Sequence, residues 1–123
     1  MGLPAEMLIN VAEALRGVVY DGPAASITSE QLNVNVLRLV DGASIPQHVN
    51  NEVDVLVVVI QGTCKLFVDN EMTVLRPGMA AVIPRGRVRA LRCTMGPLAY
   101  LTCHQRRAPL MPTLPSKKAA EAF

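Results

Sequence analysis

Short apolar segments separated by glycine- and proline-containing turns run through the middle of this chain and constrain its fold more than any other feature. Between residues 34 and 103 they recur about every ten residues, a spacing typical of β-strands in an antiparallel sandwich or barrel. The turns between them are Asp41-Gly42, Gln61-Gly62, Asp69-Asn70, Arg76-Pro77-Gly78, Pro84 and Gly96-Pro97. The sequence therefore predicts an all-β domain.

The remaining parts of the chain flank this domain, which we place at residues 33–105. Residues 1–32 are predicted to hold a helix from Pro4 to Arg16, with apolar residues on one face, and a lead-in strand. Residues 106–123 are rich in proline and predict an extended arm with a short helical end. A chain of 123 residues has room for one core and no second domain.

Composition excludes several classes of function. The net charge of +2 is too small for a nucleic-acid interface, and no apolar stretch approaches the roughly 20 residues of a membrane span. With no Trp, two Phe and two Tyr, the core must be aliphatic. Cys64, Cys93 and Cys103 have no metal-binding spacing, so we expect small buried thiols in a reducing cytoplasm.

Two frameworks of fixed spacing carry a family resemblance. The first spans residues 42–62 and the second spans residues 78–93; their shared landmarks are Gly42, His48, Gly62, Gly78, Pro84 and Gly86. Together they resemble the two motifs of the cupin superfamily. The resemblance implies a double-stranded β-helix, which is a jelly-roll barrel. The alternative is another antiparallel sandwich with similar turn glycines.

The same resemblance implies four metal-ligand places, which fall on His48, Asn50, Val55 and Arg89. Only His48 is a usual ligand of a transition metal, since valine offers no donor atom and guanidinium accepts no bond. We therefore predict that no metal or other cofactor is bound.

The alternative is a metal site formed by His48 together with residues outside the four family places. Shifting the first framework by one residue puts Asp54 at the carboxylate place, and His104 is then a candidate third ligand beside His48. Such a site would hold a single Fe, Mn or Zn ion, as in an atypical dioxygenase or isomerase.

Arginines dominate the second framework. If Arg89 faces inward, strand alternation predicts that Arg87 and Arg85 also face inward, toward the barrel mouth, and that Arg92 faces outward. This prediction fails if Gly86 breaks the alternation. A buried guanidinium needs an anionic partner. Either Glu52 or Asp54 supplies it, or a ligand does.

We predict a barrel that binds a small, anionic organic molecule in its interior. The expected ligand-binding residues are His48, Asn50, Val55, Val57, Arg87 and Arg89. His48 could act as a general acid or base, but the sequence identifies no second catalytic group. We also expect a homodimer, because the aliphatic helix and the arm need a surface to cover. A structural or regulatory dimer without a ligand is the remaining alternative.

Overall fold

The protein is described by a computed structural model that covers residues 2–17, 21–106 and 122–123. After a 3-10 turn at Ala5–Met7 and helix α1 at Val11–Leu15, the elements described between residues 21 and 106 are all strands. The strands are β1 (Gly22–Thr28), β2 (Leu32–Leu39), β3 (Ser44–Val49), β4 (Val55–Val68), β5 (Glu71–Leu75), β6 (Ala80–Ile83) and β7 (Val88–Gln105). All pairings among them are antiparallel, which confirms the predicted all-β fold.

Two long strands, β4 and β7, organise the barrel. The second half of β7 pairs with β2, and its first half pairs with β3. On its other side β7 pairs with β4 along most of its length, and β4 in turn pairs with β6 and β5. The first sheet contains β1, β2, the second half of β7, the first half of β4 and β6, and the second sheet contains β3, the first half of β7, the second half of β4 and β5. The strands β4 and β7 thus pass from one sheet into the other, which gives the double-stranded β-helix that the resemblance implied.

Both long strands bend at glycine-containing sites. Gly62 has φ +80°, and a Cβ there would lie 2.5 Å from the carbonyl oxygen of Pro97 and 2.7 Å from that of Met95. No side chain fits such a backbone crossing, so the glycine is required. The sequence had predicted a strand ending at this glycine and a second one beginning after it. In the structure, β4 is instead one continuous strand that bends at Gly62.

The aliphatic core lies between the two sheets. Val55, Val57 and Val59 of β4 are all at most 1% exposed and face this interior. The residues that alternate with them are half-buried, and Ile60 packs on the outside against a second apolar cluster containing Leu15. The N-terminal segment therefore covers one outer face of the barrel, as expected.

The predicted helix from Pro4 to Arg16 is wrong in extent. Leu8 is extended and 71% exposed, which separates the 3-10 turn from α1. A new helix starts at Asn10, whose side chain accepts a hydrogen bond from the Glu13 N–H at 3.0 Å. Neither helix in the described ranges is long and apolar enough to cross a membrane.

Most of the predicted C-terminal arm, residues 107–121, lies outside the described residues. Its last two residues are described and are buried in the main core cluster. Ala122 is 6% exposed, and Phe123 is fully buried. The Phe123 ring thus joins Tyr100 as an aromatic group in a largely aliphatic interior.

Candidate functional site

Arg89 and His48 are neighbours on adjacent strands. They pair directly in the register of β3 and β7, so their side chains share one face of the sheet. Along β7, Arg89 lies on the same face as the buried side chains of Leu91 and Cys93, and it is itself 0% exposed. The structure therefore places both side chains on the inner face of the barrel, at the positions where the family motifs put two metal ligands.

The guanidinium of Arg89 is held by main-chain oxygens. Its Nη2 donates to the Pro84 carbonyl at 2.8 Å, its Nη1 to the Phe123 oxygen at 3.0 Å, and its Nε to the Arg87 carbonyl at 3.1 Å. These bonds use the forked geometry of arginine in three directions. The geometry fixes the cation firmly in the interior.

The two carboxylates proposed from the sequence as partners of Arg89 lie elsewhere. Glu52 and Asp54 are both exposed, and within the described part of the chain neither forms an ion pair with Arg89. Asp54 Oδ1 accepts a hydrogen bond from the Arg85 main-chain N–H at 2.8 Å. The Asp54 carboxylate therefore stabilises the turn before β7.

His48 presents one ring nitrogen to the interior. Its Nδ1 lies 2.9 Å from the Pro46 carbonyl oxygen. Because a carbonyl only accepts, Nδ1 is the donor in this contact, and when the ring carries a single proton Nε2 is an acceptor. Nε2 is buried and has no hydrogen-bond partner among the described residues. The imidazole also meets the Phe123 ring edge-on, with centroids 5.5 Å apart and planes at 67°.

Asn50 serves the backbone of the loop before β4. Its Oδ1 accepts hydrogen bonds from the N–H groups of Glu52 at 3.0 Å and Val53 at 3.2 Å, and its main-chain oxygen accepts from the Gly86 N–H at 2.7 Å. The side-chain oxygen is thus committed to a turn. Its Nδ2, buried and without a partner among the described residues, is still available to a ligand.

The expectation that Arg87 points into the barrel is wrong. Strand β7 begins only at Val88, after a turn in which Gly86 has φ +81° and breaks the alternation. Arg87 is exposed, and its Nη1 contacts Asp69 Oδ2 at 2.6 Å. This hydrogen bond from Arg87 lowers the pKa of the Asp69 carboxyl.

The part of β7 that pairs with the valine row of β4 carries polar groups. Val57 pairs with Thr102, and Val59 pairs with Tyr100. The Thr102 hydroxyl and the Tyr100 hydroxyl are both buried and lack hydrogen-bond partners among the described residues. Burial raises the pKa of the Tyr100 phenol, so the group stays protonated. Polar atoms in such a place are usually satisfied by water or a bound molecule.

Two of the three cysteines, Cys64 and Cys93, take the core role expected of them, whereas Cys103 is only half-buried. Cys64 and Cys93 pair across β4 and β7, and both are fully buried. Burial, together with the neighbouring Cys93, raises the pKa of the Cys64 thiol to about 11. Both thiols are therefore protonated at neutral pH and behave as small apolar side chains.

The residues at the family's ligand places do not fit a metal ion. Val55 is a core side chain with no donor, Asn50 has committed its oxygen to backbone N–H groups, and Arg89 is a fixed cation. The alternative set of His48, Asp54 and His104 is not assembled. In the ranges that the structure covers, no three His, Cys, Asp or Glu side chains are close enough to hold an ion.

A separate groove lies on the outer face of the second sheet. It has a volume of about 350 Å³ and is lined by Gln47, Phe67, Asp69, Asn70, Val88, Arg89 and Ala90. Phe67 and Ala90 are cross-strand neighbours and alternate with inward-facing residues, so the groove is outside the barrel. Arg89 is among the lining residues because it lies between Val88 and Ala90, although its guanidinium is on the inner face.

Sequence reasoning missed three residues of the interior. Tyr100 and Thr102 could have been found by extending the inward alternation of the last strand. For Phe123 the only hint in the sequence is that it is one of two Phe in a chain with few aromatic residues. Its contact with Arg89 joins residues 34 positions apart, which no local pattern reports.

Comparison with known proteins agrees with this geometry. The sequence profile of the family described as "Cupin domain" matches residues 35–103, more than half of the chain. No curated protein matches the sequence significantly.

Solved structures with the same fold are numerous. BH2720 from Bacillus halodurans superposes with a TM-score of 0.74 at 20% identity, covering 98% of this chain and 96% of that one. A Klebsiella pneumoniae protein with a double-stranded β-helix domain gives 0.71 at 20% identity, with coverages of 85% and 91%. TT1209 from Thermus thermophilus gives 0.69 at 23% identity, with coverages of 83% and 99%. At these identities the likeness establishes the fold alone.

Proposed function

Because this chain belongs to the cupin domain family, we propose that it uses the barrel interior to bind a small, anionic organic molecule, with Arg89 as the anchor and without a metal ion. The buried Arg89 carries this proposal. A cation on the inner face of an aliphatic barrel is costly to desolvate, and such groups are frequent at functional sites.

The ligand's anionic group would accept from Nη1 of Arg89, where the Phe123 oxygen now lies. The Nη2 and Nε bonds to main-chain carbonyls would stay and hold the guanidinium in place. An anion thus gains a pre-oriented, charge-assisted hydrogen bond at a buried position.

Other interior groups would orient the rest of the ligand. The buried Nε2 of His48 can accept a hydrogen bond, and the hydroxyls of Tyr100 and Thr102 can donate or accept one. Val55 and Val57 supply apolar wall. Arg87 has no part in this site, since its side chain pairs with Asp69 at the surface.

The absence of a metal from this proposal rests on donor chemistry. The one conventional ligand among the four family places is His48, and a guanidinium beside it repels a second cation. The positive charge of Arg89 repels a metal ion, whereas it attracts an organic anion.

A thermal-shift screen of carboxylates, sugar acids and phosphates tests the proposal. We expect at least one anion to raise the Tm of the wild type, and Arg89→Met to abolish that increase. Arg92→Met is the matched control, because it removes the same charge from the same strand at an exposed position. We expect it to respond like the wild type.

The Arg89→Met protein should also be less stable without ligand, by about 2–5 kcal/mol, because buried main-chain oxygens lose their donor. Arg89→Lys keeps the charge and serves as the second variant if the first does not fold. Equal stabilisation of wild type and Arg89 variants, or of neither, would contradict the proposal.

A further inference from the structure

Phe123 supplies the interior with a group that has the features of a ligand. It presents one oxygen to Nη1 of Arg89 at 3.0 Å, and its ring meets the His48 imidazole edge-on at 5.5 Å. The residue is fully buried and belongs to the main core cluster. The interior therefore accommodates an aromatic ring and an anchored oxygen at the same time.

The surroundings of this ring make the fit specific. The rest of the core cluster around it is almost entirely aliphatic. Edge-to-face contact between the Phe123 and His48 rings has a preferred geometry that an aliphatic group would lose. Arg89 contributes the positive charge, and His48 contributes the aromatic ring that contacts Phe123.

From this arrangement we infer that the ligand class is an aromatic carboxylate, and that Phe123 occupies the same place as a competing internal ligand. The inference rests on the proposed function and narrows it. The carboxylate lies on Arg89 Nη1, and the aromatic ring lies beside His48. A molecule of this class enters only when Phe123 leaves.

Binding in the wild type is therefore opposed by the contacts that hold Phe123. The molecule must replace the hydrogen bond from Arg89 Nη1 to the Phe123 oxygen and the ring contact between Phe123 and His48. The apparent affinity for the molecule equals its intrinsic affinity multiplied by the fraction of protein from which Phe123 has left. Removing the Phe123 ring should raise affinity without any new contact.

The test measures binding of 3-phenylpropionate, which reproduces the ring, Cβ and Cα of a phenylalanine residue and carries a carboxylate where the residue has its main-chain carbonyl. We expect Phe123→Ala to bind it at least tenfold more tightly than the wild type, by calorimetry. Phe67→Ala is the matched control, since it removes the chain's other phenylalanine ring at the outer groove. Its affinity should equal that of the wild type.

Two analogues separate the ring from the charge. We expect 3-cyclohexylpropionate and 3-phenylpropionamide each to bind Phe123→Ala at least tenfold more weakly than 3-phenylpropionate. A further readout uses the wild type and does not depend on a variant's folding. The chain has two His, and saturating 3-phenylpropionate should shift the ring proton resonances of His48 more than those of His104.

The outcomes distinguish this inference from the proposed function. Arg89-dependent binding of non-aromatic carboxylates, with no gain for 3-phenylpropionate in Phe123→Ala, would overturn the inference and leave the proposed function standing. Equal affinities for 3-phenylpropionate and its cyclohexyl analogue would do the same. Failure of every carboxylate to bind any folded protein would overturn both.

Discussion

Arg89 brings a permanent positive charge to a position on the inner face where the family motif carries a histidine. An imidazole can give up its proton and bind a metal, whereas a guanidinium stays charged and donates only. The main-chain oxygens of Pro84, Arg87 and Phe123 that accept from Arg89 show how a folded protein accommodates that charge. One side chain therefore changes the chemistry available in the interior while the fold is kept.

At the surface, Arg87 and Asp69 form an ion pair that should make stability depend on pH. Because Arg87 lowers the Asp69 pKa below its ordinary value of 3.8, the folded state binds fewer protons at acidic pH than the unfolded chain does. The contribution is complete at neutral pH, declines as pH approaches 3.8 and is lost once pH falls below the lowered pKa. Urea unfolding of wild type and Arg87→Met should therefore differ most at neutral pH and converge in acid.

Arg85→Met is the control for that measurement, because the Arg85 side chain forms no hydrogen bond to the described residues. Its difference from the wild type should not change over the same pH range. A constant difference between Arg87→Met and wild type down to strongly acidic pH would contradict the assignment.

Motif spacing was sufficient to predict that His48 and Arg89 share the inner face, because strand alternation fixes direction over a few residues. It failed for Arg87, since one turn residue, Gly86 with positive φ, ends the alternation. The partner of Arg89 could not be predicted at all. Phe123 reaches it from the end of the sequence, and only the folded barrel brings the two together.

Among the elements, β4 depends most on a single glycine. Gly62 has positive φ and lies against the backbone of the β7 bend. The motif correctly placed a glycine there, but its spacing could not tell a turn between two strands from a bend within one. That distinction depends on hydrogen bonds to β7, which the local sequence does not encode.

We expect Gly62→Ala to be strongly destabilising, by about 3 kcal/mol or more, since backbone strain adds to a clash with the Pro97 and Met95 carbonyls. Gly42→Ala is the matched control. It has nearly the same φ, +79°, but no atom lies within 4 Å of the added Cβ. It should cost only about 1–2 kcal/mol in the free energy of unfolding. Similar losses in the two variants would show that the close crossing does not matter.

For the whole molecule, we propose a homodimer formed through the outer face of the second sheet. Apolar side chains are exposed there, with Val49 at 44%, Phe67 at 37% and Met72 at 49% exposure, and contiguous apolar surface favours association. Light scattering should give twice the chain mass, and Phe67→Lys should give monomers. Met95→Lys, at an exposed methionine elsewhere, should leave the dimer intact. A monomeric wild type would refute the proposal.

The purified protein is also expected to lack stoichiometric transition metal, because three of the four family ligand places hold Asn50, Val55 and Arg89. Elemental analysis by mass spectrometry measures this directly. A variant combining Asn50→His, Val55→Glu and Arg89→His restores the donor set and is the positive control. Near one Fe, Mn, Ni, Cu or Zn per wild-type chain would overturn the expectation.

The continuity of β7 has a consequence for how the barrel opens. Along most of its length β7 is hydrogen-bonded on both sides, to β4 on one and to β2 or β3 on the other. Neither sheet can therefore melt as an independent cooperative unit while the other persists. In the described part of the chain β1, β3, β5 and β6 are each paired on one side only. Local unfolding that exposes the interior should begin at these strands, while the β4–β7 pair stays closed until global unfolding.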